Sequence, residues 1–110
     1  MTQLTKSDFD QHIKNGGKSY SAVLWIIRAH KACIDAYEYV LDLEKKYTSF
    51  STSPDAPVLP LNYFYVDIDE SPTLVMKHSI RTAPFLVIFD PMGVPVDILK
   101  TKSPVKLNAT

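Results

Sequence analysis

The sequence predicts a single α/β domain in which a mixed sheet of four to five strands carries helices on both faces. Three observations lead there. Apolar runs rich in β-branched and aromatic residues recur at Ser21–Ile27, Asn62–Ile68 and Pro84–Phe89, the pattern of strands buried on both faces. Between the first two lies a long stretch, from about His30 to Tyr47, whose apolar residues repeat with a helical period. After the third, Asp90-Pro-Met-Gly93 is turn chemistry, and Val94–Leu99 reads as a strand returning in a hairpin. Alternation of strand and helix, closed by a hairpin, is how a mixed sheet is built.

The elements follow in order. Ser7 is the expected N-cap of a short first helix with Asp8 and Asp10 in its first turn, ended by Gly16-Gly17. After the strand at Ser21–Ile27, the long helix places Cys33, Ala36, Val40, Leu43 and Tyr47 on one stripe. Asp35, Glu38, Asp42, Lys45 and Lys46 fall on the opposite, solvated face. Residues 48–61 (TSFSTSPDAPVLPL) hold three prolines and five Ser or Thr, and read as a Pro/Ser-rich loop insertion. Ser71 caps a short third helix with Pro72 at its first position. The whole chain, 1–110, reads as one domain.

Composition excludes several classes. The 110 residues carry 12 basic and 12 acidic side chains, so there is no electrostatic footprint for nucleic acid or an anionic membrane. No apolar run reaches the ~18–20 residues that span a bilayer. Cys33 is the sole cysteine, which excludes a disulfide-stapled secreted domain. The polar, acid-containing start MTQLTKSDFDQHIKNGG resembles neither a signal peptide nor an Arg-rich presequence. The expected location is cytoplasmic, with presequence-free mitochondrial import as the alternative. With only three glycines, there is no phosphate-cradling loop, and no Ser–His–Asp constellation is visible.

The stretch Val66-Asp-Ile-Asp-Glu-Ser-Pro72, followed by Lys77-His-Ser-Ile-Arg-Thr-Ala-Pro84-Phe-Leu-Val-Ile-Phe89, resembles the second half of a thioredoxin domain. With the element order, the resemblance to the thioredoxin-like superfamily spans about Thr5 to Leu99. It implies the thioredoxin fold and a cis proline at Pro84. The family's Cys-x-x-Cys falls on His30-Lys31-Ala32-Cys33. Cys33 thus matches the resolving cysteine, while His30 stands where the attacking cysteine belongs. Ala29 replaces the tryptophan before that motif, Leu24 the buried aspartate that helps move protons, and Tyr65 its partner lysine. The resemblance implies a retained scaffold whose dithiol chemistry is dismantled. A narrower likeness is to the lumenal thioredoxin-like subunit of oligosaccharyltransferase, through the long loop and the Asp69-Glu70-Ser71-Pro72 step. That family keeps both cysteines, and the cysteine-poor thioredoxin-fold accessory subunits of mitochondrial assemblies fit better.

Each candidate site has a structural reading beside its functional one. Cys33 is either a reactive monothiol or, as its place on the core stripe favours, a small buried hydrophobe. His30 and Cys33, spaced i, i+3, supply two ligands where zinc takes three or four, and neither a metal nor a cofactor is implied. Asp67, Asp69 and Glu70 precede a helix start, where acids serve as caps. By the resemblance, Ala83 before Pro84 has backbone groups open to an extended peptide; the structural alternative is that Pro84 shapes the fold alone.

The chain ends too soon for a full C-terminal helix. Ser103-Pro104 can start only a short one, so that helix is expected to be truncated. Ile34, Tyr37 and Leu41 form a second apolar patch beside the core stripe. Together with the last two strands and the tail they are expected to form a face covered by a protein partner, unless loop 48–61, with Val58 and Leu59, folds over it. The expected function is a non-catalytic interaction module, an accessory subunit of a larger assembly. The alternatives are a monothiol redox protein using Cys33 and a peptide-binding chaperone-like domain using Pro84.

Overall fold

The computed structural model describes residues 1–99 and the pair 105–106. The elements are β1 (Thr2–Gln3), α1 (Phe9–Ile13), β2 (Tyr20–Ile26), α2 (Lys31–Lys46), β3 (Ser49–Phe50), β4 (Leu59–Asp67), α3 (Pro72–Lys77), β5 (Thr82–Ala83), β6 (Phe85–Phe89), β7 (Pro95–Leu99) and β8 (Val105–Lys106). Five strands lie in the order β1-β4-β2-β6-β7, with β3 added on β4; β5 and β8 form a separate ladder. β4 runs parallel to β1 and β2, while β6 is antiparallel to β2 and β7. The sheet is therefore mixed, with both parallel strands at its centre buried on two faces.

Alternation along β2 divides the interior. Ala22, Leu24 and Ile26 face α2 and meet Cys33, Ala36 and Val40 together with Tyr63, Leu86 and Ile88. Val23 and Trp25 face the other way, against Phe9 and Ile13 of α1 and Leu74 of α3, with Phe64, Val66, Val87 and Phe89. All seven residues of β2 are buried, which accounts for its unbroken apolar run.

Local chemistry moves several boundaries. Asp8, not Ser7, is the N-cap residue of α1. Its carboxylate turns back to accept the Thr5 amide at 2.7 Å and the Thr5 hydroxyl at 3.2 Å. Tyr47 leaves the core stripe, being 59% exposed. It is the C-cap residue, with φ −118° and ψ 97°, and its carbonyl accepts the Tyr63 hydroxyl at 2.8 Å. The segment 48–61 is not wholly loop. Ser49 and Phe50 pair with Pro60 and Leu59, and Phe50 sets its ring edge-on to Tyr20 at 5.0 Å. Pro60 is accepted because Ser49/Pro60 is a non-hydrogen-bonded pair, next to Leu61, whose amide donates to the Thr48 carbonyl at 2.9 Å, and β2 pairs with β4 only from Leu61 onward. The hairpin turn at Asp90 is closed by its carboxylate, which accepts the amides of Met92 and Val94 at 2.9 Å each, with Gly93 at φ 88°.

Val105–Lys106 is a strand, where Ser103-Pro104 was expected to open a short helix. The expected truncation of the C-terminal helix otherwise lies outside the described residues.

Candidate functional site

The site is built around the start of α2. His30 adopts an extended conformation (φ −85°, ψ 130°), and its Nδ1 accepts the Ala32 amide at 3.3 Å. The His30 carbonyl accepts the amides of Cys33 and Ile34 at 3.0 Å each. A histidine thus serves as an N-cap residue, satisfying one of the donors a helix start leaves open. Lys31 pairs with Asp35 at 3.2 Å in full view of solvent, a contact worth little on its own.

Cys33 lies one turn inside the helix and is fully buried. Its sulfur accepts the Ile27 amide at 3.3 Å. Burial pushes the thiol pKa up, and the Ile27 hydrogen bond offsets this only in part. A thiol near a helix N-terminus usually gains acidity; here desolvation wins. Because Cys33 is the sole cysteine, it has no partner in the chain for a disulfide.

Beside it, a groove of about 360 Å³ is lined by Ile26, Arg28, Cys33, Ile34, Tyr37, Glu38, Leu41 and Tyr65. The structure therefore gathers Ile34, Tyr37 and Leu41 into one site, and adds Ile26 and Tyr65 as further apolar walls. Tyr37 and Tyr65 meet edge to face with centroids 5.2 Å apart, and burial raises the Tyr37 pKa, with Tyr65 and Glu44 adding to it. Ile34 remains 47% exposed. One rim is polar: Arg28 Nε lies 3.4 Å from the buried Asp67 carboxylate, and its Nη2 donates to Gln3 Oε1 at 3.4 Å. Gln3 Nε2 in turn donates to Glu70 at 2.8 Å. Asp67 also accepts the Asp69 amide at 3.0 Å. Asp67 and Glu70 thus engage named partners that position Arg28 and Gln3 at the groove's edge.

The expected continuous face is divided. Tyr65 belongs to β4, on one side of β2, while β6 and β7 lie on the other; the exposed Val96 and Ile98 of β7 are thus separate from the groove. Nor does the 48–61 segment close it. Phe50 meets Tyr20, at the opposite end of β2 from Ile26, and Val58 is 66% exposed.

The Ala83–Pro84 peptide bond is cis, and both residues are buried. Neither lines the groove. The peptide edge expected to be open at Ala83 is filled: Ala83 pairs with Val105 and Thr82 with Lys106. Sequence reasoning missed this, since the only signal was a two-residue Val-Lys step behind Ser103-Pro104.

One further titratable group is enclosed. His78 packs against Phe9 at 4.7 Å and against Trp25 and Phe89 at 5.6 Å each. Its Nε2 and the Trp25 Nε1 are buried without hydrogen-bond partners. Desolvation lowers the His78 pKa, helped by Lys77 and Lys14 and opposed by Asp10. Among the described residues, no three His, Cys, Asp or Glu side chains converge as metal ligands, and no helix is long and apolar enough to cross a membrane.

Known structures share this architecture. The thioredoxin f2 of Chlamydomonas reinhardtii superposes with a TM-score of 0.73 at 16% identity, over 92% of this chain and 83% of that one. The thioredoxin of Fasciola hepatica gives 0.71 at 20% identity, over 92% and 86%. That of Plasmodium falciparum gives 0.73 at 20% identity, with the same coverage. No protein-family profile and no curated protein sequence matches the chain. The chain has the thioredoxin fold.

Proposed function

We propose that this thioredoxin-fold chain is a non-catalytic protein-interaction module, acting as an accessory subunit of a larger complex. The observation that carries the reading is the pairing of a buried, deacidified Cys33 with an open apolar groove directly beside it. Disulfide exchange requires a thiolate to attack and a second thiol to resolve. By the family resemblance, His30 stands at the attacking position, where its imidazole caps α2. The residues that assist redox chemistry in the family are absent too: Leu24 is a fully buried apolar side chain, and Tyr65 turns its ring to Tyr37.

What remains is a surface suited to a protein. Ile34, Tyr37, Leu41 and Tyr65 offer aliphatic and aromatic walls, and Arg28 and Glu38 supply charge at the margins. Apolar centres with aromatic anchors and a polar rim are how protein interfaces are built. A peptide-like segment or helix of a partner subunit, presenting an apolar side chain to this groove, is the proposed ligand.

The reading is tested by dithiol-driven insulin reduction. Turnover at the uncatalysed rate, unchanged by Cys33→Ala, is expected. Turnover that disappears in Cys33→Ala would instead establish a monothiol redox protein.

A further inference from the structure

Four exposed apolar side chains follow one another along the last hairpin: Met92 and Val94 at its turn, Val96 and Ile98 on β7. Among the described residues β7 pairs with β6 alone and is the edge of the main sheet. An open edge that carries exposed β-branched residues is a template for another strand. The partner always at hand is a second copy, whose β7 would meet this one antiparallel about a two-fold axis. With 12 basic and 12 acidic residues, two copies have no net charge to hold them apart. Whatever discourages that pairing has to lie in the strand itself.

The donors of β7 are withdrawn from its open side. The Asp90 amide donates to the Val94 carbonyl at 2.8 Å, which makes Asp90/Val94 a hydrogen-bonded pair. Phe89/Pro95 is the next, non-hydrogen-bonded pair, so the Pro95 nitrogen faces outward, and it carries no N–H. The register then shifts between Phe89 and Ile88, leaving Val96 as the extra residue of a bulge. Past the bulge, Ile88/Asp97 and Leu86/Leu99 are the bonded pairs and Val87/Ile98 is not, which turns the Ile98 amide outward. That amide donates to Asp97 Oδ1 at 2.8 Å. Of the two regular outward positions, one thus has no donor and the other has its donor taken.

We propose that Asp97 guards the sheet edge: by holding the Ile98 amide, and with Pro95 and the bulge at Val96, it keeps β7 from pairing with the β7 of a second copy. Relieved of the guard, two copies join edge to edge and cover Val94, Val96 and Ile98 against each other. The edge is separate from the α2 groove, and the proposal does not rest on the function proposed for that groove.

The test is the mass of the full-length chain by sedimentation equilibrium, from about 1 μM to about 1 mM. Pro95→Thr with Asp97→Ala restores both outward donors. The doubly substituted chain is expected to dimerise at least about tenfold more tightly than the unmodified chain. Adding Ile98→Lys, a charge on the edge, is expected to return it to a monomer. Asp97→Ala alone truncates an exposed side chain and decides the matter should the double variant fail to fold. At a dilution where it is monomeric, its Ile98 amide is expected to lose about fivefold or more in protection from exchange, corrected for the sequence change, while Val23 and Val87 keep theirs. A folded double variant that associates no more than the unmodified chain, or whose dimer survives Ile98→Lys, would overturn the proposal. So would unchanged protection at Ile98 in Asp97→Ala, or an association of the unmodified chain that Ile98→Lys abolishes.

Discussion

The backbone amide of Ile27 donates to the sulfur of Cys33 at 3.3 Å. This contact joins the end of β2 to the first turn of α2 and holds the thiol where solvent does not reach it. The sulfur is thereby part of the helix-to-sheet packing, and the groove beside it is lined by its neighbours Ile26, Ile34 and Tyr37. The chemistry of the site follows from that arrangement.

Thiol labelling reports it directly. Reaction with a maleimide or aromatic disulfide at neutral pH requires both access and thiolate. The native chain is expected to react at least about tenfold more slowly than the chain in denaturant. The native rate should rise only toward alkaline pH, because burial raises the Cys33 pKa. Equal native and denatured rates would show that Cys33 is open.

Leu24 tests how completely the interior has committed to apolar packing. It is fully buried among Cys33, Val40 and Leu86, at the place where the resemblance puts a buried aspartate in thioredoxins. Leu24→Asp is expected to lower stability by about 3 kcal/mol or more, since a carboxyl would lose its water and the cavity its aliphatic filling. Urea denaturation of the two chains measures this. A loss below about 1 kcal/mol would mean that a proton-relay pocket survives.

His78 gives the fold a pH dependence of determined sign. Its folded pKa lies below its ordinary value of 6.5 through burial among Phe9, Trp25 and Phe89, with Lys77 and Lys14 adding to the effect and Asp10 opposing it. The unfolded chain therefore takes up the proton first. The stabilising contribution is complete above about pH 6.5 and falls as pH drops through the depressed folded value. Asp10, whose pKa is lowered from 3.8 chiefly by its hydrogen bond to Lys77, acts in a separate, more acid window. Urea midpoints should decline from pH 7.5 to pH 5, and His78→Phe should flatten that decline. An unchanged slope in His78→Phe would assign the dependence to other groups.

Much of this was legible in the sequence, for identifiable reasons. β2 and β6 are covered on both faces, so their apolar runs are unbroken, and α2 has a clear stripe of Cys33, Ala36 and Val40. The patch of Ile34, Tyr37 and Leu41 was readable because residues three and four apart share a helix face. Its wall Tyr65 was not, because that contact depends on which strand lies beneath the helix. β1, β3 and β8 are two-residue strands, too short to leave a period. The Thr82–Ala83 pairing with Val105–Lys106 joins segments 22 to 24 positions apart, and only the path of the hairpin brings them together. Tyr47 was misplaced because helical periodicity carries no information about where the backbone leaves the helix.

The groove itself provides the most direct measurement. Ile34→Lys with Leu41→Lys places two ammonium groups in it while sparing the buried Cys33, Ala36 and Val40, so the chain should remain folded by circular dichroism. Two buried aliphatic side chains are worth about 3–6 kcal/mol of interface, roughly two to four orders of magnitude in Kd, enough to carry a micromolar contact beyond the reach of co-purification. The measurement is quantitative co-purification from the native source with the unmodified chain, Ile34→Lys/Leu41→Lys and Cys33→Ser as bait. The account predicts a stoichiometric protein partner retained by the unmodified chain and by Cys33→Ser and lost from the double lysine chain. A partner lost from Cys33→Ser, or retained equally by the folded double lysine chain, would contradict it.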